Sequence, residues 1–343
     1  MKHFEFTVTD EYSGERIDKC IADMYEDFSR SYIQKLIKDN LVFVKSSNVA
    51  KPVKGSYILK EDDFVYFDTP DSIIPDILPE NIPIDILYED DDVIVINKPK
   101  EMVVHPAPGH YSGTLVNGLM YHMLNELPEN TINKTKDELS NDISDVETEK
   151  VDITIITNSI VPGLSGINGV LRPGIVHRID MNTTGSLLIC KNDKSHVHIA
   201  EQLKEHTINR LYRAIVYGVL DEDEGTINKP IGRNEKDRKK MAVNVPNSKS
   251  AITHYRVIKR FEKYTYIECK LETGRTHQIR VHMASIGHPV LGDDVYSDRK
   301  CPFKLTGQTL HAMTLGFIQP TSGEYIEIVA PLPEYFEDLL GKL

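Results

Sequence analysis

The sequence predicts an α+β protein, in which a mixed and mostly antiparallel sheet forms the larger domain and a small α/β module precedes it. Strand-like segments outnumber helical ones after residue 84, and they do not alternate with helices as in a doubly wound sheet. Prolines at 70, 75, 79 and 83 punctuate an acidic stretch, which is typical of an extended linker. A length of 343 residues is sufficient for the two domains.

The first module is predicted to span residues 1–70, with the linker at 71–84. Residues 15–28 place apolar side chains at a helical spacing, and Ser29 is positioned to cap a second helix. Short strand-like pieces follow at 41–44, 57–60 and 64–67.

The larger domain is predicted to span residues 85–330. Its strands are expected at 93–97, 185–191, 210–219, 252–260, 264–272, 309–318 and 325–329. Its helices are expected at 114–124, 195–205 and 275–286, the last ended by Gly287. Residues 126–165 are mostly polar and acidic, which predicts a flexible insertion, and 331–343 are expected to form a C-terminal helix and tail.

The charge is unevenly distributed. The chain has 40 Lys and Arg against 52 Asp and Glu, a net charge of −12 that taken whole argues against a nucleic-acid partner. Residues 61–92 carry twelve acids and no Lys or Arg, whereas 28–60 carry seven bases against one acid and 229–280 carry fourteen against five. A charge run is often only a solvated face, but two basic islands leave RNA binding open.

Cofactor, metal and membrane signals are not found in the sequence. The four cysteines are widely spaced and have no zinc-finger partners, so we expect reduced thiols and no metal. Neither a G-x-G-x-x-G nor a Walker-type loop is found, and no stretch is long and apolar enough to span a bilayer. The start MKHFEFTVTD lacks the apolar core of a signal peptide. We therefore expect a cytoplasmic protein without a cofactor.

The segment LRPGIVHRIDMNTTG, residues 171–185, is the most distinctive. Arg178 and Asp180 lie two residues apart in a loop bounded by proline and glycine, ahead of a predicted strand. Taken alone, His177 is more often a structural histidine than a functional one, and Asp180 is more often a turn residue.

A second constellation, LETGRTHQIR at 271–280, joins a strand end to a helix start. On that helix, Arg280 shares a face with Thr276, whereas His277 shares one with Val281. A guanidinium at 280 suits a carboxylate or phosphate, although a surface helix with its own ion pairs is an alternative. Tyr212 lies in the strand LYRAIVYG, where a lone tyrosine is usually a core residue.

Together these motifs resemble the RluA-type pseudouridine synthases. The resemblance spans residues 84–330 except 126–165, and it includes YEDDDVIVINKPKEMVVHPAPG, GTLVNGL, VHRID, Tyr212 and LETGRTHQIRVHMASIGHPVLGD in the family's chain order. Ile179 and Asn182-Thr-Thr differ from the usual residues. Residues 13–60 resemble an S4 RNA-binding module, although the Asn-Gly turn expected there is replaced by Lys45-Ser-Ser-Asn-Val.

The resemblance implies residue roles. Asp180 matches the catalytic aspartate, Arg280 the basic residue that pairs with it, Tyr212 the residue that packs on the target base, and Arg178 the residue that fills the place of the flipped nucleotide. Further substrate contacts are expected at His177, Arg275, His277, Arg30, Lys35, Lys38, Lys239 and Lys240. Conversion of uridine to pseudouridine neither oxidises nor adds anything, which agrees with the absence of a cofactor motif.

The expected partner is RNA: ribosomal RNA of the large subunit, with transfer RNA as the alternative. No obligate protein partner is evident, and a monomer is expected. A retaining glycosidase needs two carboxylates at a set separation, and only one convincing carboxylate is found. A non-catalytic RNA-binding protein with an S4 module is the other alternative, but the combination of Asp180, Tyr212 and Arg280 argues against it.

Overall fold

The computed structural model describes residues 2–25, 28, 30–46, 49–69, 77–107, 110–126, 161, 163–237 and 240–343. The chain forms two compact units, Met1–Pro75 and Asp76–Leu343. Most of the expected insertion at 126–165, residues 71–76 of the expected linker, and Ser29 lie outside the described residues.

The described residues of the N-terminal unit form four strands, two α-helices and a short 3-10 helix at Asp10–Tyr12. The strands β1 to β4 are Lys2–Thr7, Val42–Ser46, Val49–Pro52 and Phe64–Thr69, and they form an antiparallel sheet in the order β1-β4-β2-β3. The helices are α1, Ile17–Met24, and α2, Arg30–Lys38. Both helices were predicted, whereas β1 and β3 were not. The strand expected at 57–60 is wrong, because Ile58 makes only an isolated bridge with Arg16.

A buried carboxylate joins the two helices of this unit. Asp18 is fully buried, and it accepts hydrogen bonds from Arg16 at 2.9 Å, Gln34 at 2.7 Å and Arg30 at 3.1 Å. Burial alone would raise the pKa of Asp18, but these three donors hold it well below its usual range. Arg30 therefore has a structural contact, while Lys35 and Lys38 are exposed on the same helix.

The larger unit is built on one mixed sheet. Its strands β5 to β15 are Ile86–Glu89, Val93–Lys98, Thr184–Cys190, Asn209–Tyr217, Glu224–Asn228, Ile231–Arg233, Met241–Val243, Ile252–Arg260, Tyr264–Leu271, Leu310–Ile318 and Tyr325–Val329. Its helices α3 to α6 are Leu115–Glu126, Asp193–Lys204, Gln278–Ser285 and Glu334–Lys342. The strand order is β5-β6-β7-β14-β8-β13-β12-β9, with β15 also paired to β14, while β10 and β11 form a separate hairpin.

Every pairing between the named strands is antiparallel except that of β7 with β14, so the prediction of a mixed, mostly antiparallel sheet is confirmed. The long strands were found from their hydrophobic pattern. The short strands β5, β9, β10 and β11 were not predicted.

The centre of the sheet is covered on both faces. All seven residues of β7 are buried. Leu187 and Ile189 of β7 pack in the cluster that contains α3, whereas Leu188 and Cys190 pack with Ile199 of α4. Because both faces of β7 are buried, its sequence is a nearly continuous apolar run and does not alternate between apolar and polar residues.

Gly185 allows the parallel contact between β7 and β14. It pairs with Ala312, and a Cβ at this position would collide with the carbonyl group of that residue. Its φ of 105° also lies in the region that favours glycine. The close approach fixes the start of β7, which begins at Thr184, four residues after Asp180. Among the described residues, no helix has the length and apolarity needed to cross a membrane.

Candidate active site around Asp180

Asp180 lies in the turn that leads into β7, and its carbonyl oxygen accepts a hydrogen bond from the N–H of Thr183 at 3.0 Å. Ile179 is buried in the cluster that contains Tyr212, and this contact anchors the turn to β8. The Asp180 side chain is 17% exposed, so its carboxylate reaches the surface of a cleft.

Asp180 and Asp293 bracket the guanidinium of Arg280. Nη1 of Arg280 lies 2.8 Å from Oδ2 of Asp180, while its Nε and Nη2 donate to the two oxygens of Asp293 at 2.7 and 3.0 Å. Asp293 is fully buried, and its Oδ1 also accepts the N–H groups of Val295 and Tyr296. Burial alone would lower the pKa of Arg280, but Asp293 and Asp180 raise it above its ordinary value. The guanidinium therefore stays charged.

Helix α5 delivers Arg280 to this position. It begins at Gln278, whose Oε1 accepts hydrogen bonds from the N–H of Arg275 at 3.0 Å and the hydroxyl of Thr273 at 2.8 Å. At its end, Gly287 has a φ of 87° and donates to the carbonyl of Ala284, as predicted for a glycine cap.

His277 lies outside the helix, so the expected start at residue 275 and the placement of His277 on the face of Val281 are wrong. Its φ is 57°, a left-handed conformation that turns the ring toward the cleft. Nε2 lies 3.8 Å from Oδ1 of Asp180, and Nδ1 is hydrogen-bonded to the hydroxyl of Tyr296 at 2.7 Å. Burial lowers the pKa of His277, and the charge of Asp180 opposes this effect.

Tyr212 extends from β8 into the same cleft. Its side chain is 8% exposed and lines the cleft together with Asp180, Leu271 and Leu310. Burial raises the pKa of Tyr212, so its hydroxyl is neutral near pH 7. The tyrosine ring and the carboxylate thus face one space, in which a planar ring can lie against Tyr212 while Asp180 acts as nucleophile or base.

Past Tyr212 the cleft continues into an adjoining cavity of about 470 Å³, which Asp180 and Tyr212 also line. Among the predicted residues, Arg178, Arg275 and His177 also line it. Arg178 is exposed, and Arg275 is partly fixed by a bond from its Nε to the carbonyl of Ser250 at 2.9 Å. His177 has a structural contact, because its Nε2 accepts the N–H of Leu188 at 3.0 Å. Burial, reinforced by Arg210, lowers the pKa of His177 to about 3.

The β10–β11 hairpin connects to this site through Tyr296, whose hydroxyl accepts the N–H of Met241 at 2.8 Å. Lys240 lies in the turn of the hairpin, while Lys239 lies outside the described residues. The remaining predicted cations, Arg30, Lys35 and Lys38, belong to the N-terminal unit.

Lys98 is a buried residue of the site that the sequence did not reveal. Its Nζ donates to the carbonyl oxygens of Pro99 at 2.7 Å, Met102 at 3.0 Å and Met181 at 2.9 Å. Three acceptors match the three protons of an ammonium group. Burial lowers the pKa of Lys98 to about 7, and the charge of Asp180 opposes this effect. Since Met181 follows Asp180, Lys98 holds the backbone that carries the carboxylate.

One group of described side chains has donor atoms close enough to share a metal: Glu89, His122 and Glu126. However, Nζ of Lys191 lies 2.8 Å from Glu89 and 3.8 Å from Glu126. The lysine supplies the positive charge that balances these carboxylates. None of the three described side chains is among those that line the cleft around Asp180.

Known proteins similar to this chain share one family description. A family profile described as RNA pseudouridylate synthase matches residues 92–285. An uncharacterized RNA pseudouridine synthase of Bacillus subtilis (strain 168) is 44% identical over 343 residues, covering 100% of this chain and 99% of that protein. A ribosomal large subunit pseudouridine synthase D of Zymomonas mobilis is 38% identical, covering 99% and 97%. The structure of human RNA pseudouridylate synthase domain containing 1 has the same fold, with a TM-score of 0.53 at 23% identity over 74% of this chain and 85% of that one.

The three bonds of Lys98 lead to a stability prediction. Lys98→Met keeps an apolar stem but removes the fully buried ammonium group and its three hydrogen bonds to carbonyl oxygens, so we expect the free energy of unfolding to fall by about 3 kcal/mol. Urea denaturation of the full chain measures this change. Lys194→Met, on the exposed first turn of α4, is the matched control and should change stability by no more than about 0.5 kcal/mol. Equal stabilities of the two variants would contradict the structural role of Lys98.

Proposed function

Because this chain belongs to the RNA pseudouridine synthase family, we propose that it isomerises specific uridines of large-subunit ribosomal RNA to pseudouridine, with Asp180 as the catalytic carboxylate. The observation that carries the proposal is the pairing of Asp180 with Arg280 at 2.8 Å, in a cleft that Tyr212 also lines.

The reaction is an isomerisation, and its requirements agree with these side chains. The bond between N1 of the base and C1′ of the ribose breaks, the base turns, and a bond forms between C5 and C1′, while the proton on C5 is lost and N1 gains one. A carboxylate serves as nucleophile or as base only when it is ionised, and a charged arginine at ion-pair distance favours the ionised form. Attack on C1′, attack on C6 and removal of a sugar proton are all compatible with this role of Asp180.

The target base must leave its stack before it reaches Asp180, at a cost of a few kcal/mol. Stacking against an aromatic side chain returns about 1–3 kcal/mol per base, and we assign this contact to Tyr212. Arg178 is exposed at the edge of the cleft, where it can occupy the space that the base vacates.

Relatives support ribosomal RNA as the substrate class, since several that align along nearly the whole chain are named ribosomal large subunit pseudouridine synthase D. We assign RNA binding to the N-terminal unit as an S4-like module. Its helix α2 buries Ile33, Leu36 and Ile37 on one face and exposes Lys35 and Lys38, so the two lysines can contact phosphates. The β10–β11 hairpin, with Lys240, is assigned a second phosphate contact beside the cleft.

Pseudouridine mapping tests the assigned reaction. We expect at least one pseudouridine of large-subunit ribosomal RNA to disappear from cells that lack this protein and to return with the wild type but not with Asp180→Asn, which keeps the shape and removes the charge. Asp294→Asn, an exposed neighbour in the 293–294 acid pair, is the control and should restore the modification.

Restoration by Asp180→Asn would refute the catalytic assignment. Loss of sites in transfer RNA alone would correct the substrate class. If no site disappears, the protein is an RNA-binding module without this activity.

The role of α2 predicts a change in salt dependence. Removing two phosphate contacts with Lys35→Gln and Lys38→Gln in the full chain should reduce the slope of log affinity against log salt by about 1.5. Fluorescence anisotropy with a transcript of large-subunit ribosomal RNA measures the slope. Exchange of two exposed lysines elsewhere, Lys194 and Lys342, should leave it nearly unchanged, and equal slopes for both double variants would contradict the assignment.

A further inference from the structure

Arg210 is a buried cation that forms no ion pair with any carboxylate in the described part of the chain. The residue is 7% exposed, and its Nε has no hydrogen-bond partner among the described residues. Its Nη2 donates to the carbonyl oxygen of Glu272 at 3.2 Å, which supplies no negative charge. A guanidinium buried in this way carries a desolvation cost that an anion would offset. Burial accordingly lowers the pKa of Arg210.

The position of Arg210 on β8 connects it to the base-binding part of the cleft. Arg210 and Tyr212 alternate with Leu211 and Arg213, so both point to the same face of the sheet and both line the cleft. Two residues along a strand span about 7 Å. That separation lets one nucleotide lie with its base against Tyr212 and a flanking phosphate against Arg210.

The part of the cleft around Arg210 is strongly cationic. Among the residues that line it, Lys204, Arg178 and Arg275 add three positive charges. Of the described residues in that lining, Asp180 is the only carboxylate, and it is already paired with Arg280 at 2.8 Å. This charge balance suits a phosphate better than the neutral carbonyl of a base.

Gly274 provides the space for this guanidinium. A Cβ at Gly274 would lie 2.6 Å from Nη1 of Arg210, whereas nothing in the backbone angles of Gly274 requires glycine. The atom in the way is the end of a flexible side chain, so a methyl group at 274 can shift the guanidinium without disturbing the backbone. Gly274→Ala is therefore a variant that displaces the guanidinium without removing its charge.

We propose that Arg210 binds a phosphate next to the target uridine and thereby holds the base against Tyr212 and the sugar near Asp180. This inference rests on the proposed function, since it assigns one contact within the same substrate complex. Arg210 binds in the ground state and in the transition state alike, so its loss should act mainly on KM.

The test combines the Arg210→Gln variant with RNA substrates in which one phosphate is replaced by an uncharged methylphosphonate. Oligoribonucleotides that span a mapped target uridine carry a single methylphosphonate on its 5′ or its 3′ side, as separated diastereomers. Conversion kinetics and equilibrium affinity are measured for each of them and for the unmodified oligonucleotide. Arg256→Gln removes a cation from the opposite face of the same sheet, where Arg256 pairs with Glu268, and serves as the control.

We expect Arg210→Gln to raise KM about 10- to 100-fold, the range for losing a charged hydrogen bond, with little change in kcat. One of the methylphosphonate oligonucleotides should have a similarly raised KM with the wild type. With Arg210→Gln, the same oligonucleotide should have no higher KM than the unmodified one. Gly274→Ala should also raise KM while thermal stability stays unchanged. A KM increase at unchanged stability shows that the guanidinium contact is lost and that the fold is intact. Arg256→Gln should have the same KM, kcat and affinity as the wild type with every oligonucleotide.

If the KM increase from Arg210→Gln and the increase from each methylphosphonate multiply when the two are combined, the proposal is overturned. A decrease confined to kcat would overturn it as well. A wild type that converts no uridine would refute the proposed function instead, and the affinities alone would then decide whether Arg210 contacts a phosphate.

Discussion

The site depends on one interaction: a charged guanidinium held between two carboxylates. The fully buried Asp293 accepts two hydrogen bonds from Arg280. The remaining group, Nη1, then binds the partly exposed Asp180. A buried arginine needs a counter-ion, and the single charge of Asp293 satisfies that need without using Asp180. The bond from Nη1 fixes the carboxylate of Asp180, which stays 17% exposed at the cleft.

The fold supplies the rigid supports of this interaction. Lys98, at the end of β6, holds the carbonyl that follows Asp180, and the close contact at Gly185 fixes the start of β7. On the other side, Gln278 fixes the first turn of α5, which carries Arg280. Arg280 is thus carried by a buried helix, and the turn that carries Asp180 is fixed by Lys98 on one side and by β7 on the other.

The sequence predicted the fold class, the long strands and the motifs of the site because these follow from local patterns and from the family resemblance. It did not predict Lys98 or Asp293 as parts of the site. The acceptors of Lys98 include a carbonyl 83 residues away, and Asp293 is recognised only once α5 brings Arg280 beside it. Helix periodicity also placed His277 on α5, whereas a left-handed residue cannot be found from apolar spacing.

We infer that Asp293 acts through Arg280 to position Asp180, and single-turnover rates of uridine conversion measure this coupling. The rates are compared for the wild type, Arg280→Gln, Asp293→Asn and the double variant, each corrected for the folded fraction. If Asp293 acts only through Arg280, the double variant reacts as slowly as Arg280→Gln alone and no slower. Independent losses that multiply in the double variant would contradict the claim.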